Sequence, residues 1–371
     1  MGNLAHSNCA CIFRDSTIIV LVNSNFALPV NSFRHVLIPK KAITATPIAE
    51  AAVIILVILE TNSVFIIFLA EYLWYVIIAQ YNCYQLSTAS TEAPFTLQVD
   101  SSKRGVKIGL LMSHKIDYSL LDQPNILRFV FYPREDYTPP PRNAVDHSVV
   151  VEKDVSVGCR FYPARESAPS ILYFHGNGEV VSDYDDIATL YNGIGINLFV
   201  ADYRGYGQSG GMPSFSNTVA DAHVIFKYFR DTLKSGGYRG RLFVMGRSLG
   251  SLPAVELAAS YPKELKGLII ESGFVSAGKL MMYLGAFISF PGLEDFEKAT
   301  MERIRSIAMP ILIIHGEWDQ LIPFEQAEVL YQNVGSKDKK LLRIPHAGHN
   351  DIMLVGMEQY FQAVQEFVAS R

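Results

Sequence analysis

Cysteine is scarce in this chain. Of 371 residues only Cys9, Cys11, Cys83 and Cys159 are cysteine, and no pair has the spacing of a zinc site or a disulfide framework. A metal-held or disulfide-stapled fold is therefore not expected. An excess of positive charge is lacking as well. The 32 lysines and arginines are outnumbered by 36 aspartates and glutamates, a net charge of −4, which leaves no basic footprint for nucleic acid. The sequence contains no internal repeat and no low-complexity tract. Uncharged apolar runs of 18 residues, the strict requirement for a spanning helix, are missing too. Glu60 and Glu71 interrupt the most apolar stretch, "AAVIILVILETNSVFIIFLAEYLWYVIIAQ" at 51–80.

That stretch nonetheless favours insertion on energetic grounds. The window 51–69 holds thirteen Val, Ile, Leu and Phe residues, together worth roughly 4 to 8 kcal/mol against roughly 3 kcal/mol for one central acid. Trp74 and Tyr75 suit an interface. Lys40 and Lys41 before the run, with Lys103 and Arg104 farther off, place the N-terminus inside. "MGNLAHS" approaches an N-myristoylation signal, but Ser7 sits one position late. Residues 1–111 thus read as an apolar N-terminal extension with a candidate transmembrane segment at about 51–80. Two other readings stay open: a buried helical pair, or an extension without function before a domain that begins at Met112. Location follows the choice, membrane-associated through a single N-terminal anchor or otherwise cytoplasmic.

From residue 112 onward the pattern is regular. "NILRFVFYP" (125–133) and "HSVVVEKDVSVGCRFYPA" (147–164) read as antiparallel strands by alternation and β-branched content, joined through a proline-stiffened turn, "YTPPPRNAVD". "SILYF", "NLFVA", "RLFVMG", "GLIIESGF", "PILIIHG" and "KLLRIPHAGH" read as further strands. Helical stretches near 180–193, at 216–233 and at the C-terminus separate or follow them. Val219, Ala222, Phe226 and Phe229 share one helix face, as do Met357, Tyr360, Val364 and Phe367. Strands alternating with helices imply an α/β fold with a mostly parallel sheet and helices on both faces.

One strand, "FVMG", stops at Gly246 and gives way to Arg247, Ser248, Leu249 and Gly250 before an Ala-rich helical pattern. A strand that turns directly into a helix strains the residue at the apex, and flanking glycines permit the close approach. G-x-S-x-G in that setting is a candidate nucleophile elbow. Its plain alternative is a serine N-cap, and three fixed positions match by chance in roughly one of eight chains of this length. The weight comes from two other strand ends. Asp319 follows "ILIIHGEW" and His349 follows "LLRIPHAG". A serine hydroxyl needs a base in reach, and the base needs an orienting carboxylate. Glu271, Glu317 and His346 remain as alternatives. "YFHGNGE" follows a strand, so the backbone N–H groups of Asn177 and Leu249 are candidates for an oxyanion hole. His175 reads as a loop brace, Asp202 and Arg204 as holding the glycine-rich turn, and Arg247 as a supporting or surface group.

Residues 125–371 resemble the α/β-hydrolase superfamily, and within it the serine aminopeptidase-like and bud-emergence-type hydrolases. The likeness rests on "YFHGNGE", "ADYRGYGQSGGMPS", "GRSLGS", "HGEWDQLIP" and "PHAGHND", in the family's order. It implies a serine hydrolase with Ser248 as nucleophile, Asp319 as acid and His349, rather than His346, as base, and it implies no metal or organic cofactor. Residues 1–111 lie outside it.

The hydrolase domain is thus expected over 112–371, with a short cap at 275–309 that has room for one or two helices. Its first part, "KLMMYLGAFISFPG", offers Met281, Met282, Tyr283 and Phe287 as an apolar wall for an acyl chain, though the same residues would serve equally to cover the sheet. The expected activity is hydrolysis of esters or thioesters (carboxylesterase, lipase or acyl-thioesterase type) on a small-molecule or lipid-like acyl substrate. A serine aminopeptidase or amidase is the alternative, with a larger acid-bearing cap expected for it. A non-catalytic binding protein of the same fold is the alternative of another class.

Overall fold

Short apolar runs buried on both faces need a neighbour strand on each side and a helix above and below. The computed structural model supplies both. It describes residues 54–58, 64–68, 95–100, 107–112, 116–283, 285 and 291–370, and the chain divides into two compact units, Met1–His114 and Lys115–Arg371.

The second unit is built on eight strands: β1 (Val145–Glu152), β2 (Val155–Tyr162), β3 (Ser170–Phe174), β4 (Asn197–Ala201), β5 (Leu242–Arg247), β6 (Leu265–Glu271), β7 (Ile311–Gly316) and β8 (Lys339–Ile344). Their order across the sheet is β8-β7-β6-β5-β3-β4-β2-β1. β2 runs antiparallel to β1 and β4, and the other pairs are parallel. β3 and β4 are buried at every position. The period of two then splits the side chains between two cores: Leu172 and Phe174 enter one, Ile171 and Tyr173 the other. Burying each such side chain contributes about 1.5–3 kcal/mol. β1 and β8 close the edges and are partly exposed. β3 lies between β4 and β5, so the chain order reverses there. The crevice at such a switch point, beyond the carboxyl ends of the strands, is where α/β sheets place ligands.

Nine helices accompany these strands among the described residues. α1 (Pro124–Val130), α2 (Ile187–Gly193), α3 (Phe215–Ser235), α4 (Ser251–Ser260), α5 (Ala277–Tyr283), α6 (Leu293–Ser306), α7 (Glu325–Asn333), α8 (Ile352–Val355) and α9 (Met357–Ala369) follow in chain order. α3 buries Val219, Ala222, Phe226 and Phe229 as its periodicity requires, and Ser214 caps it by accepting from the Asn217 N–H at 3.1 Å. On α9, Tyr360, Val364 and Phe367 are buried but Met357 is exposed. α5 and α6 lie within 275–309, the segment expected to form a cap with one or two helices.

One expected strand is a helix. "NILRFVFYP" begins with α1, not a strand. Pro124 occupies the first turn, where its fixed φ and missing N–H are harmless, and Ile126 and Val130, four apart, bury one face. Tertiary packing of that face overrides β-branched content.

In the first unit, Ile54–Ile58 pairs antiparallel with Val64–Phe68, and Phe95–Asp100 with Lys107–Met112. The described parts of 51–80 are therefore strands where a helix was expected. Their residues, IILVI and VFIIF, are β-branched and aromatic, the types that favour a pleated surface. The rest of 51–80 lies outside the described residues. Among the described residues no helix is long and apolar enough to cross a membrane.

Candidate active site

β5 stays extended through Arg247 (φ −106°, ψ 130°), and Ser248 then takes φ +50°. That left-handed conformation costs a non-glycine residue about 1–2 kcal/mol. A single 3₁₀ turn, Ser248–Gly250, leads into α4. The glycines are required by contact. A Cβ on Gly246 would overlap the Gly250 carbonyl, and one on Gly250 would overlap the Phe174 carbonyl at the end of β3. The turn therefore packs directly against the start of "HGNGE", and Ser248 sits at the strained apex.

Two loops meet it. His349 Nε2 lies 3.0 Å from Ser248 Oγ, and His349 Nδ1 lies 2.7 Å from Asp319 Oδ2. Asp319 Oδ1 accepts from the N–H groups of Leu321 and Ile322 at 2.9 and 2.7 Å. Burial would raise the Asp319 pKa, but hydrogen bonds from His315 and His349, the His349 charge and the Ile322 amide outweigh it and hold the carboxyl below its ordinary range. Asp319 is thus a fixed anion behind the imidazole, and the imidazole is aimed at the hydroxyl. Three groups from three strand ends, β5, β7 and β8, form one hydrogen-bonded line.

The alternatives lie elsewhere. His346 is exposed, stacks edge-on against Trp318 at 4.6 Å, and donates its backbone N–H to Glu317 at 3.3 Å. Glu317 pairs with Arg343 on the surface. Glu271 is buried and hydrogen-bonded to Tyr360, Tyr173 and Arg247 rather than to His349. Burial pushes its carboxyl pKa up.

Asn177 lies on the loop after β3. In its side chain, Oδ1 accepts from Tyr132 N–H at 3.0 Å and from the Tyr206 hydroxyl at 2.6 Å, and Nδ2 donates to the Val130 carbonyl. No hydrogen bond engages its backbone N–H among the described residues. Leu249, directly after Ser248, is buried at the first turn. His175 is fully buried with Nε2 3.1 Å from Asp202 and Nδ1 2.7 Å from the Gly176 carbonyl. Both partners are acceptors, so both nitrogens donate. Burial opposes that charge, but Asp202 outweighs it and raises the pKa. Arg204 forks onto Asp221 with two 2.8 Å bonds.

The cap residues separate. Met281 is fully buried in the core and presents no surface, so it covers the sheet instead of lining an open wall. Met282 is exposed, and the Tyr283 hydroxyl accepts from Gln326 at 3.4 Å. Phe287 lies outside the described residues. Between α4 and the cap lies an apolar crevice of about 30 Å³, walled by Leu252, Val255, Phe274, Phe296 and Ile304, with Ser251 at one side. It holds a water-sized guest, not a chain.

One neighbour escaped notice in the sequence and another was only partly placed. His315, four residues before Asp319, is fully buried with Nε2 2.8 Å from the Ile322 carbonyl and 3.3 Å from Asp319 Oδ2. Arg247, read as a supporting or surface group, is buried and touches several loops at once. His315 was visible only as the histidine of "IIHGEWD", and no periodicity marks a strand-end residue as facing a loop.

An eight-stranded sheet with one antiparallel edge, helices on both faces and a strained serine at the end of its fifth strand is the α/β-hydrolase fold. The chain belongs to the family described as serine aminopeptidase, S33, whose model matches residues 165–291 and 290–353. It is 31% identical to protein bem46 of Schizosaccharomyces pombe over 210 residues, 55% of this chain and 68% of that one. It is 32% identical to alpha/beta hydrolase domain-containing protein 17B of Xenopus laevis over 225 residues, 57% of this chain and 71% of that one. In structure it is similar to the esterase Pf2001 of Pyrococcus furiosus, with a TM-score of 0.54, 19% identity, and coverage of 65% of this chain and 98% of that one.

Proposed function

We propose that this hydrolase cleaves ester or thioester bonds through an acyl-enzyme on Ser248, with His349 as general base and Asp319 as its orienting anion. The observation that carries the reading is the unbroken line Ser248–His349–Asp319, at 3.0 and 2.7 Å, on a glycine-flanked apex. His349 Nε2 takes the hydroxyl proton as Oγ attacks the acyl carbon. The imidazolium then returns the proton to the leaving group, and water repeats the sequence to release the acid. The N–H groups of Asn177 and Leu249 are the proposed donors to the oxyanion, each worth about 3–4 kcal/mol in the transition state.

An ester or thioester is favoured over a peptide amine by the small size of the cap, which holds two helices among the described residues. The aminopeptidase named in the family's description remains the second reading. A fluorophosphonate probe tests the reading: it labels the wild type and not Ser248→Ala. Equal labelling of both overturns it and favours a binding protein of this fold. p-Nitrophenyl esters of rising chain length, beside an aminoacyl amide, then rank the substrates. We also propose residues 112–371 as the catalytic domain; a chain begun at Met112 folds and turns over a soluble ester at near the full-length rate.

A further inference from the structure

Guanidinium presents five N–H donors in a fixed fork, and Arg247 makes four hydrogen bonds with them, at three strand ends. Nε donates to Glu271 Oε1 at 3.1 Å, at the end of β6. Nη1 donates to Glu179, on the loop after β3. Nη2 donates to the His349 carbonyl and to Asn350 Oδ1, both at 2.9 Å, on the loop after β8. Arg247 itself is the residue before Ser248. Glu179 passes the constraint on: its Oε2 accepts the Gly176 N–H at 2.7 Å and the Tyr184 hydroxyl at 2.7 Å, so it shapes the loop that carries Asn177. Glu271 is anchored in turn by the Tyr360 hydroxyl at 2.7 Å.

The space for this fork is reserved. A Cβ on Gly176 would overlap Nη1 of Arg247, although Gly176 does not have the positive φ that otherwise calls for glycine. The glycine makes room for the cation. An apolar residue in place of Arg247 would remove the cation from two carboxyls and strip Glu179 Oε1, Glu271 Oε1 and the His349 carbonyl of the donor each now has.

We propose that Arg247 is a positioning residue, which holds the nucleophile turn, the proposed oxyanion loop and the histidine loop in one register through Glu179, Glu271 and the His349 carbonyl. The inference rests on the serine-hydrolase reading above. It makes rate depend on a residue that touches no reacting atom, because sub-ångström placement of three loops enters the barrier directly.

The test uses the full chain, a p-nitrophenyl ester, and rates normalised to sites titrated with fluorophosphonate, so that loss of folded protein does not count. Arg247→Gln lowers kcat by about 10- to 100-fold with KM nearly unchanged. Arg247→Lys recovers part of the loss, since an ammonium serves only some of the partners. Glu179→Gln lowers kcat less, and the double variant Arg247→Gln with Glu179→Gln is no slower than Arg247→Gln alone, as expected of two residues in one chain of contacts. A wild-type kcat in Arg247→Gln, or losses that multiply in the double variant, overturns the proposal. If Arg247→Gln does not fold, Glu179→Gln and Asn350→Ala decide, and wild-type kcat in both rejects it. Labelling of Ser248→Ala by the probe would mark failure of the serine-hydrolase reading instead, and the two failures are thereby kept apart.

Discussion

The rim at the carboxyl ends of the strands and the cap are held by different forces. The rim is polar and over-constrained. Arg247, Glu179, Glu271, His175, Asp202 and Asp319 are buried or partly buried and hydrogen-bonded, and Ser248 is held in a conformation it would not choose. Among the described residues, the cap is tied by apolar contact and by separate polar links: Glu297 accepts the Gly278 N–H at 2.7 Å, Gln326 accepts the Val275 N–H at 3.3 Å, and Arg303 of α6 pairs with Glu256 of α4. A buried polar network has few alternative arrangements, because each would strand a donor or an acceptor. Apolar contacts slide at lower cost. The chemistry is therefore expected to sit on the rim and the choice of substrate on the cap.

Substitutions at the rim break that comparison most sharply. Ser248→Ala and His349→Ala abolish ester turnover, whereas His346→Ala, which changes an exposed ring, leaves most of it. Next comes Asp319→Asn, which lowers kcat by roughly 10⁴-fold because the imidazole loses its orienting anion. Glu271→Gln is mild by comparison, and steady-state kinetics that invert this order would place the acid on β6.

His315 has an intermediate effect. His315→Leu removes one donor to the Asp319 carboxylate, a loss of about 1.5–3 kcal/mol, and slows kcat by roughly 10- to 100-fold. His315→Gln, whose amide still donates, recovers much of the rate. Equal rates for His315→Leu and wild type would show that the Leu321 and Ile322 amides suffice.

Cap substitutions sharpen the comparison from the other side. Met282→Ala, at an exposed position, changes the ratio of kcat/KM between long and short p-nitrophenyl esters by about 10-fold or less and leaves the rate on the shortest ester alone. A uniform loss across chain lengths would assign Met282 to folding and not to substrate choice.

Acid titration has the smallest effect near neutrality. Burial would raise the Glu256 pKa, but His223 and Arg303 lower it to about 2, below its unfolded value near 4.3. A depressed carboxyl stabilises the fold above the unfolded pKa, and that contribution is lost as pH falls toward about 2. Between about pH 4.5 and 2 the tie between α4 and α6 therefore weakens, and proteolysis of the cap accelerates in wild type. In Glu256→Gln that acid dependence is flattened, which cleavage rates at pH 3 and 7 would reveal.

Much of the fold could be read directly from the chain. The runs SILYF, NLFVA and PILIIH are apolar at every position because both faces of their strands are covered, and the glycines around Ser248 are written into the sequence because a Cβ would meet backbone there. The strand ends pointed to Ser248, Asp319 and His349, with Glu271, Glu317 and His346 left open, and the family resemblance chose His349 over His346. Other parts were not legible. α1 looked like a strand because β-branched content is local, while the face that decides its helix is defined by what Ile126 and Val130 pack against. Met281 could be read as a wall or as sheet cover, because an apolar side chain has the same letter in both, and only its burial in the core decides.

What the sequence determined by itself was periodicity and local geometry: which runs become strands, and where a turn needs glycine. Tertiary structure decided which charged groups face one another. Arg247 and His349, or Glu179 and Arg247, are far apart in sequence, and no local pattern encodes their pairing. Only strand order and register, which place β3, β5, β6 and β8 at one rim, turn an arginine beside the serine into a buried fork between loops.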